Sequence, residues 1–235
     1  MNGTGRYRCR LWYRMVPLAS DKMSDTTKDD KAGKDEKAGR KERITLAAMP
    51  LFLQRGYAGT STLAIASAAR LSKRDLYAEF PGKREIFAAC IAERGQAMRA
   101  PLEYPAPREV AELEALLLRY GVGLRLGLAD PKVIATYRVA VQEAPTAPDF
   151  ARTLHEDGRT ASFNAMVALL GGAQARGLLG AGAPEMMARV FMSVLVGDLM
   201  LRHLLCVAPE ETAAAAAEHA AAATGALFGM YGTGR

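Results

Sequence analysis

The stretch Gly59–Lys83, GTSTLAIASAARLSKRDLYAEFPGK, carries two short helical patterns around a three-residue break. In the first, Thr62–Ala69, the residues Ile65, Ala66 and Ala69 share one face, and Ser61 or Thr60 stands where a cap is needed. The break is Arg70-Leu71-Ser72. Ser72 then caps a second helix, Lys73–Glu79, and Pro81 stops it. Helix, turn of three, helix, with small residues at the crossing, is the pattern of a helix-turn-helix, here spanning 61–80. Such a motif lays its second helix in the major groove of DNA. That helix begins with Lys73 and Arg74 but also carries two carboxylates, Asp75 and Glu79.

Outward from the motif the periodicity stays helical. Upstream, from Arg40, Ile44, Ala47, Ala48, Leu51 and Phe52 form one apolar face of a helix ending near Gly56, and Pro50 predicts a bend near Ala47. Downstream, Ile86, Phe87, Cys90 and Ile91 share one side of a longer helix. The proline-rich APLEYPAP (100–107) breaks it. Further helices follow near 108–129, 131–144, 149–176, 184–207 and 209–229, separated by ADP, APTAP, RGLLGAGAP and VAPEE. Half of the 235 residues are hydrophobic, alanine and leucine dominate, and β-branched residues are sparse. The expected fold is all-α: a tail over 1–40, a helix-turn-helix domain over 41–101 and a second helical domain over 102–235.

Charge is divided along the chain. Residues 1–40 carry net +4, residues 41–100 net +5 and residues 101–235 net −3. A basic N-terminal part and a mildly acidic remainder suggest that one end meets a polyanion. The segment SDKMSDTTKDDKAGKDEKAGR is polar and reads as a disordered tail. The stretch RYRCRLWYRM before it differs in composition and reads as an extension ahead of a later start, or as a basic arm against DNA backbone. Met15 and Met23 are alternative starts to Met1. Cys9, Cys90 and Cys206 are isolated, which fits a reducing cytoplasm, and no signal-peptide pattern is evident. The apolar segment 186–207 is interrupted by Arg189, Asp198, Arg202 and His203, so it reads as a buried helix rather than a membrane span.

Residues 43–91, RITLAAMPLFLQRGYAGTSTLAIASAARLSKRDLYAEFPGKREIFAACI, resemble the DNA-binding domain of the TetR/AcrR family of bacterial transcription regulators. The resemblance rests on Ala47, Ala48, Leu51, Phe52, Gly56, Tyr57, Thr60, Ser61, Ile65, Ala66, Ser72, Lys73, Leu76, Tyr77, Phe80, Lys83 and Phe87. ATYRVAVQEAPTAPDFARTLHEDG and EMMARVFMSVLVGDLMLRHLL are similar to the AefR-like subgroup of the family's C-terminal domains. The resemblance implies a dimeric regulator, most simply a repressor, that binds a palindromic double-stranded operator and answers to a small-molecule inducer.

It also implies site residues. Ser61 and Thr62 should touch phosphate, as a helix N-terminus with free donors does. Tyr77 and Lys83 should grip the backbone, while Lys73, Arg74 and Asp75 face the bases, Arg74 reading a base or holding a phosphate. Two positions depart from the pattern. Leu63 and Ala64 stand where relatives carry polar side chains, and Arg70 stands where relatives have glycine at a left-handed position. Glu79 either pairs with Arg84 or Lys83 or repels misdocked DNA. Tyr120, Tyr137, Phe163, Met166 and Met192 are candidate ligand contacts, or plain core. Dimerisation is expected through the helices near 184–207 and 209–229, the second being rich in small residues.

Other chemistry finds little support. His155, Glu156 and Asp157 are adjacent and do not share a helix face. His203 and Cys206 lie three apart, but no further ligand stands near them for a metal, and no cofactor motif is present. Neither a Gly-rich phosphate loop nor G-x-S-x-G appears, so the chain does not read as an enzyme. The competing reading is a helical module whose basic head binds RNA or acidic partners without sequence preference.

Overall fold

The computed structural model describes residues 28–103 and 106–233. The chain divides into two units, 1–36 and 37–235; of the first, the described part is helical backbone from Lys28. Elements run α1 (Lys28–Arg55), α2 (Thr62–Ala68), α3 (Lys73–Glu79), α4 (Lys83–Arg99), α5 (Val110–Leu128), α6 (Pro131–Glu143), α7 (Pro148–Thr153), α8 (Ala161–Ala175), α9 (Pro184–Val196), α10 (Leu199–Leu204) and α11 (Ala213–Tyr231). A 3₁₀ turn spans Ala100–Glu103 and a π-helical segment, Leu154–Thr160, joins α7 to α8. The described residues contain no strand, only an isolated bridge between Leu179 and Gly232. The fold is all-α.

Helix α1 begins twelve residues before the apolar periodicity does. The stretch through residue 40 that reads as a disordered tail is therefore helical backbone from Lys28 onward, and residues 1–27 lie outside those described. Over 28–40, four Lys and two Ala favour helix even where no apolar face forms, against three Asp and two Gly that do not. The helix also runs on through Pro50. Pro50 lies exposed, so water can take the Leu46 carbonyl that the missing N–H leaves free.

One core fills the N-terminal head. Ile44, Phe52, Ile65, Leu76, Ile86 and Phe87 are at most 1% exposed, and Phe150 and Leu154 from α7 and the π segment belong to the same cluster. Phe87 stacks on Phe150 with ring centroids 3.9 Å apart, while Phe52 and Tyr57 pack edgewise and tilted around them. The core thus crosses the boundary that the prolines at 101–107 suggest.

A second core joins α5, α8, α9 and α11 through Leu117, Tyr120, Met166, Leu170, Phe191, Leu195 and Leu227. Helices α5 and α11 approach closely at Gly121, where a Cβ would stand 2.7 Å from that of Ala220. The segment 184–207, expected as one helix, is two. Gly197 has φ +48°, a conformation that turns the chain between α9 and α10 and that glycine adopts at little cost.

Candidate nucleic-acid interface and ligand cavity

Helices α2 and α3 are placed by their caps. Ser61 Oγ accepts from the Ala64 N–H at 3.1 Å, so Ser61 is the cap. Thr60, the other candidate, is buried, and its hydroxyl donates to the Leu51 and Gly56 carbonyls at the end of α1. Ser72 Oγ accepts from the Asp75 N–H at 3.1 Å and donates to the Asp75 carboxylate at 2.6 Å. That bond to Ser72 holds the Asp75 carboxyl below its ordinary range. Arg70 sits at φ +55° as the pattern requires, and Arg43 donates to the Ala69 and Arg70 carbonyls.

The sequence-expected DNA contacts gather on this surface. Ser61 and Thr62 open α2, and Thr62 Oγ1 lies 3.0 Å from Tyr77 Oη, linking the two helices. Lys73 and Arg74 are exposed at the start of α3, with Lys73 Nζ 5.7 Å from the Tyr77 ring centroid. Leu76 and Phe80 are buried and fix α3 to the head. Leu63, beside Thr62, is 60% exposed.

Lys83 is engaged differently from a free surface cation. Its Nζ donates to the carbonyls of Tyr57, Ala58 and Thr60 at 2.6, 3.4 and 3.2 Å, tying the start of α4 to the turn between α1 and α2. It also lies 4.4 Å from the Tyr57 ring centroid. Partial burial lowers its pKa and the nearby Glu143 carboxylate opposes that shift. The same turn is held from the other side, where Glu143 at the end of α6 accepts from the Tyr57 and Ala58 N–H groups at 2.7 and 3.1 Å. Nothing in the local sequence announces this 86-residue link.

Glu79 pairs with neither Arg84 nor Lys83. Its carboxylate lies 3.4 Å from Arg40 Nε on α1 and is 3% exposed. The partner was invisible to sequence because Arg40 reaches Glu79 across the tertiary fold, not along a helix face.

Behind the head lies a cavity of about 670 Å³. Its walls come from α1 (Met49), α4 (Ile91 to Met98), α5 and α6 (Leu124, Tyr137), the π segment (Leu154, Arg159), and α8 and α9 (Phe163, Met192). Of the expected ligand contacts, Tyr137, Phe163 and Met192 line it. Tyr120 and Met166 do not; both are fully buried in the second core, Tyr120 against Phe191 with ring centroids 6.4 Å apart. Large side chains at helical spacing look alike in sequence whether they face a void or a neighbour.

Arg138 donates to the His203 carbonyl and to Cys206 Sγ, and no group of three metal-ligating side chains forms among the described residues. No helix among them is long and apolar enough to cross a membrane.

Comparison with known proteins accords with this geometry. The solved structure of the "Flavonoid-responsive Regulator FrrA" is 27% identical with a TM-score of 0.68, covering 84% of this chain and all of that one. A TetR transcriptional regulator from Agrobacterium tumefaciens is 26% identical with a TM-score of 0.68, covering 83% and 95%. A Mesorhizobium loti structure described as a TetR-family transcriptional regulator shares the fold at 24% identity and a TM-score of 0.68, covering 84% and 98%. Comparison with curated proteins gives no match. The family model "Bacterial regulatory proteins, tetR family" matches residues 44–90, and "AefR-like transcriptional repressor, C-terminal domain" matches 115–233. The chain belongs to the TetR family of DNA-binding transcriptional regulators, with a C-terminal domain of the AefR-like type.

Proposed function

We propose that the protein is a ligand-responsive repressor that binds a palindromic operator as a dimer in the cytoplasm. The observation that carries this reading is the shared wall. Helix α4 begins at Lys83, under the turn that presents α2, and its far half lines the 670 Å³ cavity. A molecule in the cavity therefore presses on the helix that carries the reading head. Ligand that binds best when α4 is displaced from its operator-fitting position weakens DNA binding by the same free energy.

On the DNA side, Ser61 and Thr62 offer hydroxyls and helix-start N–H groups to phosphate, and Tyr77 adds its phenol. Lys73 and Arg74 project from the front of α3 towards base edges. Asp75 serves as a cap partner and accepts from cytosine N4 when docked. Lys83, its three N–H donors taken by the Tyr57, Ala58 and Thr60 carbonyls, holds the turn that positions Ser61 and adds its positive charge near the phosphates without a hydrogen bond of its own.

The dimer is supported by apolar surface on the last helices. Val194, Leu201, Leu205, Val207 and Met230 are 39–63% exposed, and Ala217, Ala221 and Gly225 form an exposed small-residue stripe on α11.

Selection from random duplexes by the purified full-length protein tests the reading. A two-fold symmetric motif should enrich at physiological salt; sequence-indifferent, salt-sensitive retention would instead favour a general polyanion binder. Within an enriched motif, Arg74→Ala should relax one base position in each half-site. Tyr77→Ala should weaken binding to all duplexes alike.

A further inference from the structure

We infer that the cavity takes an organic anion, an apolar body of aromatic size bearing one carboxylate or similar acidic head. This rests on the ligand-responsive reading above and narrows it. Three residues of the lining carry charge, and all three are arginines: Arg94 on α4, Arg159 on the π segment and Arg189 on α9. No Asp or Glu joins them among the described lining residues.

The three differ in how their charge is met. Arg94 Nη2 lies 2.9 Å from the Asp130 carboxylate, which does not line the cavity. Its buried Nε has no hydrogen-bond partner. Arg159 and Arg189 are solvent-exposed at the cavity wall and have no carboxylate partner among the described residues. The Arg189 guanidinium lies over the Phe163 ring, 5.9 Å from the centroid. Arg159 precedes Phe163 by one helical turn. Its direction depends on the π segment, whose i→i+5 bonding lets Leu154 and Arg159 face the cavity together. An α-helical register would turn one of them away.

The chemistry that follows is specific. Two guanidinium groups without a carboxylate partner favour a negative ligand, and each planar fork can exchange water for a carboxylate held through two parallel N–H donors. Tyr137 stands beside Arg159, and its phenol, protonated at neutral pH, can donate its O–H to the same head. Phe163 supplies a flat face for an aromatic body, while Met98 and Met192 adapt to its outline. A cationic ligand would meet two arginines and no lining acid. The volume lies within the range that holds drug-sized ligands.

The test uses the full-length protein and three probes. N-Phenyl-1-naphthylamine, neutral and fluorescent in apolar sites, reports the chamber itself. 2-Naphthoate and 2-naphthamide, matched in shape and differing in charge, compete with it. The expected result is that naphthoate displaces the dye about tenfold more effectively than naphthamide. In the Arg159→Gln/Arg189→Gln variant the two should become equal while naphthamide and dye still bind, which also shows that the variant is folded. Equal displacement in the wild type, or a preference that survives the double substitution, overturns the anion assignment and leaves the ligand-responsive reading standing. A wild-type protein that binds neither dye nor naphthalene probe overturns both.

Discussion

Arg125 on α5 and Glu211 before α11 form a buried two-pronged ion pair, Nε to Oε1 at 2.5 Å and Nη2 to Oε2 at 3.0 Å. The remaining guanidinium nitrogen donates to the Leu195 carbonyl near the end of α9. One side chain therefore satisfies a helix-end carbonyl and anchors the connection into α11. Both partners are at most 7% exposed, so removing one leaves a charge in apolar surroundings. Glu211→Ala should destabilise the protein by about 3–5 kcal/mol in urea denaturation. Arg125→Met/Glu211→Leu should recover part of that loss, because no buried charge remains unpaired although the Leu195 carbonyl loses its donor; equal loss in single and double variants would refute this account.

Glu143 should matter to the head although it lies on α6. Its two carboxylate oxygens accept from the Tyr57 and Ala58 N–H groups, and a glutamine can present only one acceptor. Glu143→Gln should cost about 1–3 kcal/mol. Hydrogen exchange at Tyr57 and Ala58 should accelerate more than elsewhere. Unchanged protection at those amides would show that the contact is not maintained in solution.

Arg70 pays for its turn in backbone strain. A left-handed arginine costs about 1 kcal/mol relative to glycine, and the more flexible unfolded chain of a glycine variant offsets part of the relief. Arg70→Gly should stabilise by roughly 0.5 kcal/mol, read as a higher thermal midpoint. Arg43 contacts the carbonyl of Arg70, not its side chain, so that bond survives the change. A lower midpoint would mean that the arginine side chain makes a compensating contact.

Glu93 gives the head a pH dependence. Partial desolvation raises its pKa, the Thr45 hydroxyl at 3.3 Å opposes that shift, and Glu42 adds to it; because the residue is exposed, solvent screens the effect and keeps it small. The folded state thus holds this proton more tightly than the unfolded chain does. Stability is fully present below the ordinary glutamate range and falls as pH rises through the raised pKa. Glu93→Gln should lift the thermal midpoint at neutral pH, and the gain should disappear in acid. A gain independent of pH would assign the effect to packing instead.

The helices and the reading head were legible because their signals are local. Ser72 with Lys73 and Asp75, the Ile65–Ala66 face and the Pro81 stop all act within one or two turns, and they form the elements that the sequence pattern predicts. Arg70 at positive φ was legible only through the family resemblance, which places glycine at that position. What could not be read depends on distant partners. Arg40 finds Glu79 across 39 positions, Glu143 finds Tyr57 across 86, and Lys83 turns to three carbonyls of an earlier turn. The split of Tyr137, Phe163 and Met192 from Tyr120 and Met166 follows from which helix faces enclose a void. The π pitch of Leu154–Thr160 has no signature in HEDG beyond its glycine.

The stacked Phe87 and Phe150 bear on how such regulators can be recombined. A chimera cut at the prolines near 101–107 would carry Phe52, Tyr57 and Phe87 away from the ring that completes their cluster. The transplantable unit is therefore longer than the helix-turn-helix and its flanking helices. It extends through α6, α7 and the π segment, so a new operator specificity is more readily installed by rewriting α2 and α3 than by exchanging heads.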